Sequence, residues 1–175
     1  APDQVDLEVK VVERMTGNFT VGMGFSSTDK FLLQLGLSQN NFMGTGNSLG
    51  LSVSSGKINE TYEIDYTNPY ATDDGVSRTY KLGKRDTDVS SLAVSAFSTS
   101  TSSGSVTFGV PLTEYDRIYY GLGAEATQIT LGANPTAEYA EFVALNGSDN
   151  TVIPLTVGWS RDKRNSAIYP TDGMV

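Results

Sequence analysis

Glu63 and Asp65 stand two residues apart, the spacing that puts two carboxylates on one face of a β-strand. A carboxylate pair can do acid–base work, as in glycoside hydrolysis. It needs a cleft and a companion base, and the sequence supplies neither. Solvation on a wet polar face, or pairing with an arginine from elsewhere, accounts for both residues. Three Gly-x-Gly pieces, at 22–24, 44–46 and 121–123, have the composition of a phosphate-cradling loop. None opens a helix, which such a loop requires. Arg161, Asp162, Lys163 and Arg164 form a charged run that reads as a solvated turn, with lipid headgroups as a second possibility. Asp172-Gly173 reads as a turn former. The chain has no Cys and no His, which removes thiolate nucleophiles, disulfides, imidazole bases and the usual zinc ligand sets. No catalytic residue, cofactor or metal is therefore expected, and the chain is not expected to be an enzyme.

The elements that carry these residues have a period close to two. Phe19, Val21, Met23 and Phe25 alternate with Asn18, Thr20, Gly22 and Gly24. The same alternation recurs at 47–54, 61–67, 105–112, 118–126 and 153–160. It is less regular at 30–40, where Leu32 interrupts the polar face, and at 76–85, where Arg78 falls among the apolar positions. Tyr62, Tyr66, Tyr120 and Trp159 lie on the apolar faces, as girdle aromatics would. The polar faces are mostly Gly, Ser and Thr with occasional charge, which suits a water-filled lumen better than the Lys- and Glu-rich exterior of a sandwich. The pattern favours an antiparallel transmembrane β-barrel over a soluble sandwich, which stays as the alternative.

The connectors alternate in kind. Residues 40–46, 68–77, 111–116 and 161–173 belong to one end; 26–30, 54–60, 86–103 and 131–150 belong to the other. The Ser/Thr run at 98–105 reads as a loop. The one helix signal lies in 131–150, with Asn134 as the cap, Pro135 at the first helical position and Gly147 as the stop. Residues 5–14 alternate apolar with charged positions and read as the edge strand of a separate soluble unit.

The 175 residues are enough for one domain with a sizeable core, and the net charge is −8. That charge and the lack of a basic run argue against a nucleic-acid partner. The absence of Cys fits an oxidising compartment. No apolar run approaches the ~20 residues of a spanning helix, which leaves strands as the route through a membrane. No signal peptide opens the sequence, so a mature form or a fragment is expected.

Four stretches carry a resemblance. VDLEVKVVERMTGNFTVGMGFSS resembles the junction between the last periplasmic POTRA domain and the first barrel strand of the BamA family of outer-membrane insertases. LSQNNFMGTGNSLGLSVS is similar to that family's second strand, tight turn and third strand. NPYATDDGVS is similar to its next turn, and WSRDKRNSAIYPTDG to the turn ending in Pro-Thr-Asp-Gly. The turn residues are Asn68, Pro69, Tyr70, Asp74, Gly75, Pro170, Thr171, Asp172 and Gly173.

The resemblance implies residues 1–15 as a POTRA strand and junction, and 16–175 as the N-terminal half of a barrel. About eight to nine meander strands are expected, with a short helix in one extracellular loop. It also implies a fragment, because the family's barrel has sixteen strands and its lid-loop Val-Arg-Gly-Phe motif does not occur here. The implied function is folding and inserting β-barrel proteins in the outer membrane of a Gram-negative bacterium. A client strand would pair with the edge formed by Asn18, Phe19, Thr20, Val21, Gly22, Met23, Gly24, Phe25 and Ser26. Gly22 and Gly24 would keep the seam weak. Implied partners are nascent outer-membrane proteins, assembly-complex lipoproteins and membrane lipid. A second chain or copy is expected on an open sheet edge. In a bacterial protein, the Asn-x-Ser/Thr matches at Asn18, Asn59 and Asn146 are chance. A polypeptide-secreting pore of the same superfamily and a small structural barrel are the alternatives.

Overall fold

A computed structural model describes residues 7–12, 14–89, 97–132, 134–164, 169 and 171–174. The strands are β1 (Gly17–Ser26), β2 (Lys30–Gln39), β3 (Ser48–Ser55), β4 (Asn59–Asn68), β5 (Ser77–Asp88), β6 (Phe97–Pro111), β7 (Asp116–Leu131), β8 (Asp149–Val152) and β9 (Leu155–Arg161). They form one antiparallel meander in chain order, with β8 and β9 both paired to β7. β8 and β9 keep a single register, Glu125 opposite Val152 and Leu122 opposite Leu155. They are thus one strand interrupted at Ile153–Pro154. The N–H of Gly123 donates to the Pro154 carbonyl at 3.0 Å, but Pro154 has no N–H to return. The alternation at 153–160 is observed, with this break inside it.

Register makes the two faces continuous. Phe19 pairs with Leu37 and Val21 with Leu35; Leu37 then pairs with Leu51, Leu51 with Ile64, and Ile64 with Leu82. Val106 pairs with Leu122 and Leu122 with Leu155. These side chains make an apolar belt across the sheet. Polar residues bound it: on β4, Tyr62, Ile64 and Tyr66 lie between Glu60 and Asn68, and on β5, Tyr80 and Leu82 lie between Lys84 and Arg78. Among the described residues only one apolar side chain, Ile58, is buried. A soluble sandwich buries its apolar face against a second sheet. Here the belt stays bare, which fits lipid as its solvent. No described helix is long and apolar enough to cross a membrane.

The Ser/Thr run at 98–105 is strand rather than loop. β5, β6 and β7 run for 12, 15 and 16 residues against 8 to 10 for β1–β4, so their far ends project past the belt. Beyond it both faces meet water, the alternation disappears, and the β-propensity of Thr is the remaining signal. Thr101 and Thr127 share a hydrogen bond at 3.0 Å there, and Ser100 donates to Asp86 at 2.5 Å. The register at this end is Asp86 to Ser100 and Asp88 to Ser98.

The helix α1 (Ala137–Asn146) begins later than expected, with Thr136 in the extended cap position and Pro135 ahead of it. Tyr139 stacks on Phe97 at 4.4 Å, a tertiary contact that helps fix where the helix sits. Gly147 ends it at φ 83°, as expected. Residues 7–12 belong to no strand and are exposed. A strand needs a hydrogen-bonding partner, and no described residue pairs with them; Val5, Asp6 and Glu13 lie outside the described residues.

Candidate functional site

The edge of β1 combines bare side chains with free backbone groups. The Asn40 N–H donates to the Thr16 carbonyl at 3.0 Å, which marks this as a hydrogen-bonded pair. Hydrogen-bonded and non-bonded pairs alternate along an antiparallel ladder. Asn18, Thr20, Gly22, Gly24 and Ser26 therefore bond to β2. Gly17, Phe19, Val21, Met23 and Phe25 point their N–H and C=O groups away from it, and no described strand pairs there. The residues with free backbone groups are the ones whose side chains lie on the apolar belt. Phe19, Val21, Met23 and Phe25 are 67, 52, 73 and 78% exposed, so the edge is apolar in its side chains and unsatisfied in its backbone.

Gly22 and Gly24 lie on the opposite, polar face. A Cβ at Gly22 would meet the Gln34 side chain at 3.4 Å, and one at Gly24 would meet Leu32 at 3.8 Å. The space tolerates alanine, so close packing does not demand glycine here. What glycine adds is backbone freedom.

The other edge is different. On β9 the residues with outward N–H and C=O groups are Leu155, Val157, Trp159 and Arg161, by the same alternation. Just beyond them the Lys163 N–H donates to the Met174 carbonyl at 2.8 Å. The returning chain is already engaging this side.

The turn residues do what their types suggest. Asn68 closes β4, and its Oδ1 accepts the Tyr70 N–H at 2.9 Å, an Asx turn that follows from Asn-Pro. Tyr70 is exposed at the turn. The Gly75 N–H donates to the Thr72 carbonyl at 3.1 Å, and Gly75 has φ 78°, a left-handed position. Asp74 precedes it in the same turn. Gly173 has φ 112°, and a Cβ there would strike the Lys163 backbone. Thr171 and Asp172 lie beside it in a bend. Pro170 lies outside the described residues.

Arg161 is not part of a solvated turn. Its Nε and Nη2 grip Asp116 at 2.7 and 3.0 Å, and Thr113 donates to the same carboxylate at 2.9 Å. Asp116 is the one buried polar residue described. The Arg161 hydrogen bonds hold its carboxyl down at about 2, outside the apolar belt at the turn. The Arg161 guanidinium also lies 5.3 Å from the Trp159 ring centre. Local composition carries little warning of this pair, because the partners are separated by 45 residues. Asp162 pairs with Arg164 at 2.6 Å.

Glu63 and Asp65 come together on the polar face without a catalytic setting. Ser52 approaches Glu63 at 3.4 Å, and the Asp65 carboxylate occupies the space that Gly50 leaves open. Arg85, Glu125 and Thr101 line the same polar hollow as Glu63. Tyr62, Tyr120 and Trp159 are exposed on the belt; Tyr66 lies on it half-buried, its hydroxyl taking a hydrogen bond from Asn47 at 2.7 Å.

Residues 41–175 match the Omp85 superfamily domain. The chain is 35% identical to the outer membrane protein assembly factor BamA of Neisseria meningitidis serogroup B over 98% of its length, covering 23% of that protein. It is 27% identical to BamA of Nitratidesulfovibrio vulgaris, covering 99% of this chain and 21% of that protein. The crystal structure of Haemophilus ducreyi BamA lacking POTRA domains 1–3 superposes with TM-score 0.67 at 28% identity, over 91% of this chain and 32% of that one. The chain thus spans under a quarter of the curated relatives' length. With an open β meander, a bare apolar belt and a domain match that runs from the second turn to the last residue, the chain belongs to the Omp85 superfamily, as a BamA-type barrel fragment.

Proposed function

We propose that this chain is the leading half of a barrel that folds and inserts β-barrel proteins into the outer membrane of a Gram-negative bacterium. The observation that carries the reading is the β1 edge, whose free N–H and C=O groups belong to residues with bare apolar side chains. In hydrocarbon an unpaired backbone group costs several kcal/mol. A client strand that pairs with the edge removes that cost, which is β-augmentation. The work is done by backbone pairing, so no catalytic residue, nucleotide or metal is assigned. The partners are nascent outer-membrane proteins, the lipoproteins of an assembly complex, and lipid.

Two structural roles belong to this reading. Residues 1–15 form the junction to a periplasmic POTRA domain, whose remaining strands would pair with 7–12. Gly22 and Gly24 keep β1 pliable, so that the seam it makes with a closing strand opens readily.

The test is a cysteine crosslinking scan across 18–26 in the full-length protein, against a stalled client. Crosslinks to one client strand, advancing in antiparallel order, are expected. A scatter with no register would refute pairing at this edge.

A further inference from the structure

Arg78 is an outward cation with no ion-pair or hydrogen-bond partner among the described residues. It is the second residue of β5, directly opposite Asn68 on one side and Phe108 on the other. All three share the face that carries Tyr80 and Leu82, at the level where the apolar belt gives way to the turn. The Arg78 guanidinium lies 5.3 Å from the Tyr80 ring centre. Its Nε is enclosed by protein and meets no hydrogen-bond partner. No ion pair reaches it among the described residues. Arg161, on the same face, is held by Asp116. The one carries its own counter-anion, and the other does not.

The neighbour sharpens the chemistry. Asn68 Oδ1 accepts the Tyr70 N–H at 2.9 Å, which fixes the amide and leaves its NH2 donors without a hydrogen bond among the described residues. Asn68 and Arg78 therefore bring unused donors side by side. A planar guanidinium beside an amide, both donating, suits an anion with several oxygens. The site opens toward the apolar belt, beside Tyr80, Phe108 and Tyr120, rather than toward the polar face. The site lies at the end of the meander where β1 begins at Gly17, the end at which the proposed periplasmic junction enters, so on that reading it faces the periplasmic leaflet, which is made of phospholipid.

We propose that Arg78 and Asn68 form a binding site for the headgroup phosphate of a phospholipid in the leaflet at the turn end of the barrel. This rests on the membrane-facing reading of the belt and not on client insertion. The bound phosphate gives the guanidinium a counter-anion, and Tyr80 and Phe108 pack against the acyl chains below it.

Chemical modification of wild-type full-length protein by phenylglyoxal, read at each arginine by peptide mass spectrometry, tests the site without a folding risk. The protein is placed in nanodiscs of phosphatidylethanolamine with phosphatidylglycerol, and in nanodiscs of a galactosyl diacylglycerol, which has no phosphate. Arg78 should react several-fold more slowly in the phospholipid discs, while Arg161 reacts alike in both. Asn68→Ala should reduce the protection, and Lys81→Gln, on the polar face, should leave it unchanged. Equal reactivity of Arg78 in the two discs overturns the proposal, since bilayer shielding alone would then explain any protection. Equal protection by inorganic phosphate in maltoside micelles overturns the lipid assignment in favour of free phosphate. Protection in micelles that vanishes when a co-purified protein is stripped overturns it in favour of a protein carboxylate. Failure to enter either disc would instead refute the membrane reading itself.

Discussion

The alternation of backbone direction along β1 separates two proline substitutions one residue apart. Val21 points its N–H to the open edge, whereas Thr20 bonds to Gly36 on β2. Val21→Pro removes one edge donor and no β1–β2 bond, and proline is tolerated where the lost N–H faces outward on an edge strand. Thr20→Pro breaks a rung inside the sheet. A client strand docking on the Val21→Pro edge leaves one of its carbonyls unpaired. An unsatisfied buried acceptor costs about 1–3 kcal/mol, or roughly 5- to 150-fold in client affinity at 1.4 kcal/mol per tenfold. Weakening the resting seam does not rescue the variant, because the client must make the same bond that the seam loses. The assay is insertion of a radiolabelled barrel client by the full-length protein in liposomes, with heat-modifiable gel mobility as the folding control. Val21→Pro should stay folded and insert poorly; Thr20→Pro should lose folded stability first. Wild-type insertion by folded Val21→Pro, or equal losses of stability in the two variants, would refute the reasoning.

Gly22→Ala with Gly24→Ala should restrain β1 by about 0.5–1 kcal/mol per site, since the space around both accepts a methyl group. Under the pliable-seam proposal client insertion slows several-fold while thermal stability rises; unchanged insertion in the stabilised double variant would sink it. Asp116 is held at about 2 against an ordinary 3.8, so its ion pair with Arg161 stabilises the folded state above pH 4. That contribution is lost as pH falls from about 4 through about 2, and Asp116→Asn should flatten the loss; hydrogen exchange of the β7 and β9 amides near the turn reads it. Gly75→Ala at φ 78° should cost about 1–2 kcal/mol through left-handed strain, seen as a lower melting temperature, whereas the same change at Gly36, within the β2 ladder, should cost less.

What could be read from the chain depended on where each segment lies relative to the belt. Within it, one face meets lipid and the other water, so alternation at Phe19–Phe25 or Leu49–Val53 announces strand, face and register together. Ser98–Ser103 lies beyond the belt, where both faces are wet, and the same rule turned a strand into an apparent loop. Pro154 interrupts a ladder whose side-chain alternation continues through it, so the break shows only in the backbone. The Asp116–Arg161 pair joins residues 45 apart, and composition cannot reveal such a meeting. The helix starts two residues later than Asn134-Pro135 suggests, with Thr136 rather than Asn134 in the extended cap position. Pattern conveys exposure; it does not convey which polar groups find each other.

The lack of a core explains why the edges matter so much. A sheet with one buried apolar side chain among its described residues is held by its ladders and by lipid, so its weakest places are where a ladder ends. There are two such places, and they are unequal. At β9 the Lys163 N–H already reaches the Met174 carbonyl in the next rung of the meander, so the chain itself begins to satisfy that side. At β1 the described residues before Gly17 lie in no strand, and no described residue turns back to cover Phe19, Val21, Met23 or Phe25. Among the described residues no strand is left to pair there, so the proposed partner is a strand distant in sequence or one from another polypeptide. A distant strand pays a larger loop-closure entropy than a hairpin neighbour does. Under the proposed function, the junction it makes is the easiest to exchange for an incoming strand of equal length, which is the reason recruitment is proposed at β1.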